Sequence, residues 1–442
     1  MLQDTIIVTA NYRLGVFGYL AGAALKADSA DGSVGTYGFQ DQRAALQFLQ
    51  DTGAAFGGDV TRVTIFGESA GAASVSAHLV SPRSKGLFSR AIIESGTFSV
   101  WTAQSYNISG TRLAQFARNV GCGPADLACM RALNATQVLD ADRGLTSAFL
   151  EWSPTIDGVE VIDDPRALLA AGKVADVPVM LGFNADEGTL FTRAPKDLNA
   201  SDYVSAILAM LPTLPPASAA AVAAQYPCSD FSPALGQSAC WWAITRFIRD
   251  AMFACPVQSA AALLTGLPGR ANGAATFAYA YEQVLFLVDI VDLFKPYRCF
   301  HGSELPLVFN LWPTLMGFGE ARLGDYMSGA WTAFAATGNP NVPGAPVWAP
   351  FGAAASTVRI TTSAAGVALN NTPGLLAAQC AFWKANPIPV RVPPPDPSHP
   401  HCTRFPLPLH FPRPSPLTHT NHTHLHTSPP RVAEQRDLGL SR

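Results

Sequence analysis

Charged residues and long apolar runs are both scarce in this chain. Only 14% of its 442 residues are charged, and its formal net charge is −3. A surface that binds nucleic acid needs a basic excess to neutralise phosphates, so this composition excludes that class of protein. The best apolar stretch, residues 284–294, is interrupted by Asp289 and Asp292, so the sequence predicts no membrane span.

Closely spaced metal ligands and a leader peptide are also missing. None of the eight cysteines forms a CxxC pair, so we expect no metal site and no cofactor. The N-terminal segment MLQDTIIVTANYRLG carries neither a basic leader nor a small-residue cleavage site, which argues against a signal peptide there. Sequons for N-glycosylation begin at Asn107, Asn134, Asn199, Asn370 and Asn421. Together with an even cysteine count, they favour a secreted or luminal glycoprotein.

The composition changes sharply after Trp383. Residues 387–442 contain 14 of the 35 prolines and seven of the nine histidines, with almost no periodic apolar pattern. Such a segment cannot bury enough apolar surface to offset its ordering entropy, so we predict a disordered Pro/His-rich tail. The preceding residues, 1–386, form one predicted domain.

Within residues 1–386, short β-branched runs alternate with helical patterns. Strands are predicted at 5–9, 63–66, 91–94 and 177–183, with a further strand-like run at 277–286. Helices are predicted at 41–50, with Ala45, Phe48 and Leu49 on the apolar face, and at 70–79. This rhythm is typical of an α/β fold with a mostly parallel central sheet flanked by helices on both faces.

The segment RVTIFGESAGAASVSAHL places Ser69 between a predicted strand and a predicted helix. Its G-x-S-x-G turn is a weak signal in isolation, but the strand before it and the helix after it are the context that the motif requires. We expect a side chain at Gly67 or Gly71 to collide with the neighbouring backbone. The turn lifts the Ser69 hydroxyl above the sheet, and the Ala70 N–H then points at a developing oxyanion. Ser69 is therefore the candidate nucleophile.

A serine nucleophile needs a base, and only two histidines precede the predicted tail. His78 follows Ser69 on the same predicted helix, about 13 Å away at a rise of ~1.5 Å per residue, so we expect it to pack rather than react. His301 follows a strand-like run and lies in a loop of small and polar residues. Elimination therefore makes His301 the candidate base.

The third member of a triad would orient the imidazole and stabilise its charge. With this type of turn, the partners follow in the chain order serine, acid, histidine. The predicted strand at 177–183 leads into Asn184-Ala185-Asp186-Glu187-Gly188, a suitable place for the acid. The residues favour Asp186 and Glu187 almost equally, with Asp157 as a distant third.

Several segments of the chain resemble the type-B carboxylesterases, which are the carboxylesterase, cholinesterase and lipase relatives within the α/β-hydrolase fold. The segments are NYRLGVFGYL (11–20), YGFQDQRAALQFL (37–49), FGGDVTRVTIFGESAGAASVSAHLVSP (56–82), LFSRAIIESG (87–96), GFNADEGTLF (182–191), FHGSELPLVF (300–309) and WTAFAATGNPN (331–341). The resemblance covers 1–386 and implies hydrolysis of a small-molecule carboxylic ester through a Ser-His-Glu triad and an acyl-serine intermediate.

The resemblance also implies roles for individual residues. It assigns the acid to Glu187 and the base to His301. It implies that Glu68 and Ser95 support the site, although Glu68 could instead be a turn residue without a catalytic part. Two disulfides are implied, Cys122–Cys129 and Cys255–Cys380. Proximity in sequence suggests a further pair, Cys228–Cys240, whereas Cys299 and Cys402 have no assigned partner.

The oxyanion loop of the family, H-G-G-G before the NYR strand, has no counterpart here, because FGGD (56–59) and FHGSE (300–304) belong to other motifs. We interpret the chain as an N-terminally truncated form of an active enzyme, lacking its first strands and its signal peptide. We therefore expect poor folding and weak activity. The alternative function is a non-catalytic adhesion or scaffold module, against which the presence of both Ser69 and His301 argues.

The sequence does not predict the ester or the oligomeric state. Six apolar residues are candidates for a substrate gorge, but ordinary core positions are the favoured interpretation for most of them. They are Phe191, Trp241, Trp242, Phe286, Leu287 and Phe294.

Overall fold

A computed structural model describes residues 4–142, 152–211, 214–268, 275–291, 295–311, 318–363 and 366–388. Its centre is one six-stranded sheet in which the strands follow the chain order. They are β1 (Thr64–Glu68), β2 (Arg90–Glu94), β3 (Val179–Asn184), β4 (Thr276–Tyr281), β5 (Ser356–Ser363) and β6 (Gly366–Pro373). Strands β1 to β5 are parallel, and β6 pairs antiparallel with β5. The predicted mostly parallel sheet is confirmed.

In the described residues, helices lie before β1, between consecutive strands from β1 to β5, and after β6. The α-helices are α1 (Gly15–Tyr19), α2 (Ala23–Asp28), α3 (Tyr37–Thr52), α4 (Ala70–Val80), α5 (Tyr106–Asn119), α6 (Leu127–Arg131), α7 (Ala135–Asp142), α8 (Pro165–Ala170), α9 (Gly188–Phe191), α10 (Tyr203–Met210), α11 (Pro216–Gln225), α12 (Ala239–Arg249), α13 (Cys255–Gly266), α14 (Phe286–Ile290), α15 (Leu305–Val308), α16 (Phe318–Thr337) and α17 (Ala377–Ala385). A π-helix (Asp250–Ala254) joins α12 to α13. In the part of the chain described here, no helix is both long and apolar enough to cross a bilayer.

The sheet carries an apolar core on each face. Successive side chains of a strand point to opposite faces, so Val179 and Leu181 of β3 enter one core while Met180 enters the other. In β4, the two alanines join the first core and the aromatic residues join the second. The first core also contains side chains of α4, α12 and α13, and the second those of α15 and α16. The prediction of helices on both faces is therefore confirmed.

The predicted strand at 5–9 is wrong. No strand is present there, and the side chains of Ile6, Ile7 and Val8 are 52%, 52% and 47% exposed. A β-branched run forms a strand only where a neighbour completes its hydrogen bonds and covers one face. Among the described residues, β1 pairs with β2 alone, so no strand of the sheet pairs with this run.

The helix predicted at 41–50 is confirmed within the longer α3, but its predicted apolar face is wrong in part. Phe48 is 55% exposed, whereas Phe39 and Leu46 are buried. Phe39 and Leu46 are two turns apart, so they share a face that packs inward, and Phe48 lies on another side of the helix.

The three predicted disulfides are present. They join Cys122 to Cys129, Cys228 to Cys240 and Cys255 to Cys380. The last one ties α17 to the first residue of α13 across 125 residues of chain. Cys299 is a buried free thiol. Cys402 and, from residue 389 onwards, the predicted disordered tail lie outside the described residues.

Candidate active site

Ser69 lies at the sharp turn between β1 and α4. Its backbone has φ 57° and ψ −118°, a conformation that L-residues seldom adopt, and α4 begins at the next residue, Ala70. The Ser69 N–H donates to the carbonyl of Glu94 at the end of β2 (2.9 Å), so the neighbouring strand anchors the turn. A strained strand-to-helix turn of this kind presents a serine hydroxyl at the carboxyl end of the sheet.

The two glycines of the turn are not equivalent. A Cβ built on Gly67 would lie 2.5 Å from the carbonyl carbon of Gly71, so a side chain there would force the backbone of the turn apart. A Cβ on Gly71 would meet no atom within 4 Å. The expected collision is therefore found at Gly67, and the expectation for Gly71 is wrong because that position faces open space.

His301 and Glu187 form a buried pair between two loops. Glu187, just after β3, is fully buried, and its Oε2 lies 2.6 Å from His301 Nδ1. Its other oxygen accepts the Asn184 N–H at 2.7 Å, which fixes the orientation of the carboxylate. An ionised carboxylate only accepts hydrogen bonds, so the imidazole proton lies on Nδ1 and Nε2 is the face available for proton transfer.

Glu68 faces the second nitrogen of the imidazole. His301 Nε2 lies 3.1 Å from Glu68 Oε1, and no hydrogen bond joins it to Ser69 within the described residues. Burial lowers the pKa of His301, but the charge and hydrogen bond of Glu187, with the charges of Glu68 and Glu304, raise it to about 9. Burial raises the pKa of Glu68 to about 7, opposed by His301 and reinforced by Glu187.

Asp186, the rival candidate for the acid, points away from the imidazole. Its Oδ1 lies 2.8 Å from an Arg246 nitrogen, and its Oδ2 lies 3.4 Å from Arg298 Nε and accepts the Cys299 N–H at 3.3 Å. Both oxygens are therefore engaged by groups other than His301. Of the two adjacent carboxylates, only Glu187 contacts the histidine.

Asp157 and His78 have structural partners away from the triad candidates. Asp157 accepts hydrogen bonds from three backbone N–H groups of its own loop, at residues 159–161, and from Val34 N and Thr36 Oγ1. His78 is buried, stacks on Phe39 at 4.1 Å and contacts Ser84 Oγ and Gln42 Oε1 through its two nitrogens. Burial lowers the pKa of His78 to about 3, as a neutral packing histidine requires.

Two further buried carboxyls were not predicted as site residues. Glu304 is fully buried and accepts a hydrogen bond from Asn184 Nδ2. Burial and the charges of Glu187 and Glu68 raise the pKa of Glu304 to about 8. Burial and the charge of Glu304 also raise the pKa of Glu94 well above its ordinary value. The signal for Glu304 was its position three residues after His301, whereas Glu94 looked like an ordinary strand end.

A cavity of about 280 Å³ opens beside Ser69, Ala70 and Phe191. The remaining walls are largely apolar, with Trp101, Met252 and Phe253 among them. The other gorge candidates that the structure describes do not line this cavity. Trp241 and Trp242 are buried in the core, and Phe286 is 50% exposed. The Leu287 side chain and Phe294 lie outside the described part of the chain.

Ser95 is fully buried, and its N–H donates to the carbonyl of Gly182 in β3 at 2.9 Å. This hydrogen bond joins the end of β2 to β3 beneath the site. The Ser95 backbone lies in the left-handed region (φ 55°). No cluster of three or more possible metal ligands occurs in the described ranges.

Comparisons with known proteins find that the chain is similar to one family. The model of the Carboxylesterase family matches residues 1–383. The chain is 31% identical to the "Crystal protein" of Dictyostelium discoideum, over 79% of this chain and 62% of that relative. It is 31% identical to an acetylcholinesterase of Electrophorus electricus, over 77% and 59%, and 30% identical to a para-nitrobenzyl esterase of Bacillus subtilis (strain 168), over 76% and 65%. The chain therefore spans about 60% of the length of relatives such as these.

Proposed function

Because the chain belongs to the carboxylesterase family and has the α/β-hydrolase fold, we propose that it is a serine hydrolase of carboxylic esters. The observation that carries this proposal is the 2.6 Å contact between Glu187 and His301, placed beside the strained turn that presents Ser69. These groups supply the nucleophile, base and orienting acid of acyl transfer.

The reaction proceeds in two steps. His301 Nε2 takes the proton of Ser69 as Oγ attacks the ester carbonyl, and the imidazolium then protonates the departing alkoxide. Water attacks the acyl-serine with His301 again as base, and the carboxylic acid leaves as Ser69 regains its proton. Glu187 keeps the proton on Nδ1 and stabilises the imidazolium in both steps.

Glu68 sets the starting state of this reaction. Before substrate binds, His301 Nε2 faces Glu68 Oε1 at 3.1 Å. The imidazole must therefore turn from Glu68 towards Ser69 before it can accept the serine proton. Hydrogen bonds of catalytic groups are commonly long or misaligned in the free enzyme and tighten in the substrate complex.

The Ala70 N–H, at the start of α4, is our candidate for the oxyanion donor, and the described residues offer us no second candidate. An oxyanion hole with one donor fewer costs about 10²–10³ in rate. We therefore expect the 442-residue chain to acylate Ser69 readily with an activated reagent and to turn over esters slowly.

The substrate is an ester whose acyl part is apolar, because Trp101, Phe191, Met252 and Phe253 surround the space next to Ser69. This environment favours an uncharged acyl group, because the transfer of such a group out of water costs little free energy. The three disulfides fit an oxidising compartment, and four of the sequon asparagines are exposed. We therefore place the protein outside the cytosol, as a glycoprotein whose mass would fall on endoglycosidase treatment.

Fluorophosphonate labelling of the full chain, with the adduct mapped by mass spectrometry, tests the proposal. We expect the label on Ser69 and none in Ser69→Ala. Ser74→Ala is the matched control, because Ser74 lines the same cavity but its hydroxyl donates to the carbonyl of Ala70. Hydrolysis of p-nitrophenyl acetate should follow the same pattern. A label elsewhere, or full hydrolysis by Ser69→Ala, would refute Ser69 as the nucleophile. A wild-type chain that neither reacts with the label nor hydrolyses the ester would support the non-catalytic scaffold role.

A further inference from the structure

Asp186 joins the loop that carries Glu187 to the loop that carries His301. The backbone N–H of Asp186 donates to the carbonyl of Cys299 at 2.9 Å, and the Cys299 N–H donates back to Asp186 Oδ2 at 3.3 Å. Asp186 is adjacent to Glu187, and Cys299 lies two residues before His301. One residue thus connects the two segments whose side chains meet at 2.6 Å.

Three arginines surround this junction. Arg246 of α12 lies 2.8 Å from Asp186 Oδ1 and also donates to the carbonyl of Ala185. Arg249, one turn later on α12, donates to the same carbonyl at 3.5 Å, and Arg298 of the histidine loop lies 3.4 Å from Asp186 Oδ2. Since Asp186 is only 4% exposed, its charge depends on these cations for compensation.

The pair of Glu187 and His301 needs such support because it spans two loops. Glu187 Oε1 is held by the Asn184 N–H of its own segment, which orients the carboxylate but does not bring the histidine loop to it. The contacts across the gap run through Asp186, through Asn184 Nδ2, which donates to the carbonyl of Phe300 at 2.9 Å and to Glu304, and through Thr189 Oγ1, which donates to the carbonyl of Tyr297 at 2.8 Å. Asp186 alone supplies both a backbone and a charged link.

We propose that Asp186 is a positioning residue, which with Arg246 and Arg298 clamps the histidine loop onto the acid loop and so sets the contact between Glu187 and His301. This inference rests on the proposed function. The largest charge effects on the imidazole come from Glu187, Glu68 and Glu304. Both Asp186 oxygens face groups other than His301, so we assign its influence on the imidazole to the geometry of the two loops.

Asp186→Asn keeps the size of the side chain and an oxygen for the Cys299 N–H, but turns an uncharged amide towards Arg246. We expect the two loops to move apart, which weakens the interaction of Glu187 with His301 while the burial of the imidazole persists. The pKa of His301 should then fall from about 9, and kcat should fall by up to about 100-fold with little change in KM.

The measurement is the titration of the His301 ring by NMR in the full chain, with the resonance assigned by its loss in His301→Gln. Asp157→Asn is the matched control, because Asp157 is similarly buried (3% exposed) and accepts several hydrogen bonds but contacts neither loop. It should lower the thermal midpoint and leave the His301 titration unchanged. Kinetics are normalised to the fraction of Ser69 that reacts with the fluorophosphonate.

Arg298→Gln provides a second test, because the Arg298 side chain is 46% exposed and its replacement should leave the fold intact. It should shift the His301 titration in the same direction by a smaller amount. An unchanged titration in Arg298→Gln and in folded Asp186→Asn would overturn the proposal. A wild-type chain that shows the raised pKa but no labelling of Ser69 would refute the proposed function and leave the clamp intact.

Discussion

Replacing Glu187 by glutamine should lower the pKa of the His301 imidazole. The difference between the ordinary pKa of histidine, 6.5, and the value of about 9 at His301 corresponds to a preference for the imidazolium of about 3 kcal/mol. Burial acts against this preference, so the carboxylates of Glu187, Glu68 and Glu304 together contribute more than the net amount. Glu187→Gln removes the largest of these contributions, and the pKa of His301 should fall from about 9.

The tautomer should change as well. The Asn184 N–H points at Glu187 Oε1, so the amide oxygen of glutamine would take that position and its NH₂ group would face His301 Nδ1. Nδ1 must then accept, which moves the imidazole proton to Nε2, where it blocks proton uptake from Ser69. In a serine hydrolase, the corresponding acid-to-amide change lowers kcat by about 10⁴-fold.

The assay is the dependence of kcat/KM for p-nitrophenyl acetate on pH, normalised to reactive Ser69. The acid limb, where His301 loses its proton and becomes a base, should lie well above pH 6.5 in the wild type and at a lower pH in Glu187→Gln. Glu282→Gln is the control, because it breaks an ion pair with Arg359 and leaves the triad candidates untouched. An acid limb at the same pH in wild type and Glu187→Gln would refute the reasoning.

Two further predictions concern stability. In the chain-entropy model, Cys380→Ser opens a loop of 125 residues and should lower the unfolding free energy by about 5 kcal/mol. Cys129→Ser opens a loop of 7 residues and should lower it by about 2 kcal/mol. Equal losses of unfolding free energy in denaturant titrations would contradict this model. The raised pKa values of Glu68, Glu304 and His301 mean that the folded chain binds more protons than the unfolded chain between about pH 4.5 and 9. The unfolding free energy should therefore fall as pH rises through that window, and Glu304→Gln should flatten the fall in thermal midpoints; an unchanged slope would count against the assignment.

Where a prediction from the sequence is wrong, the structure of that segment depends on contacts with other segments that the local sequence pattern does not encode. Residues 5–9 have strand-forming side chains, but among the described residues no strand pairs with them. The apolar face of α3 was placed on Phe48, although the helix turns Phe39 and Leu46 towards the interior. Gly71 fits the motif, yet only Gly67 approaches another backbone segment closely. Periodicity and motifs specify local geometry, whereas burial depends on which segments are neighbours.

The sequence by itself determined the elements that carry the candidate nucleophile and base. Strand, turn and helix around Ser69 follow from local side-chain chemistry, and the shortage of histidines before the tail left only His301 as a candidate base. The residues alone left Asp186 and Glu187 open, and the family resemblance implied Glu187. The tertiary structure decided which of the two carboxylates meets the imidazole. Glu187 and Asp186 are adjacent, so their side chains leave the backbone in different directions, one towards His301 and the other towards the arginines of α12 and the histidine loop. That choice depends on packing more than 100 residues along the chain, which no local pattern specifies.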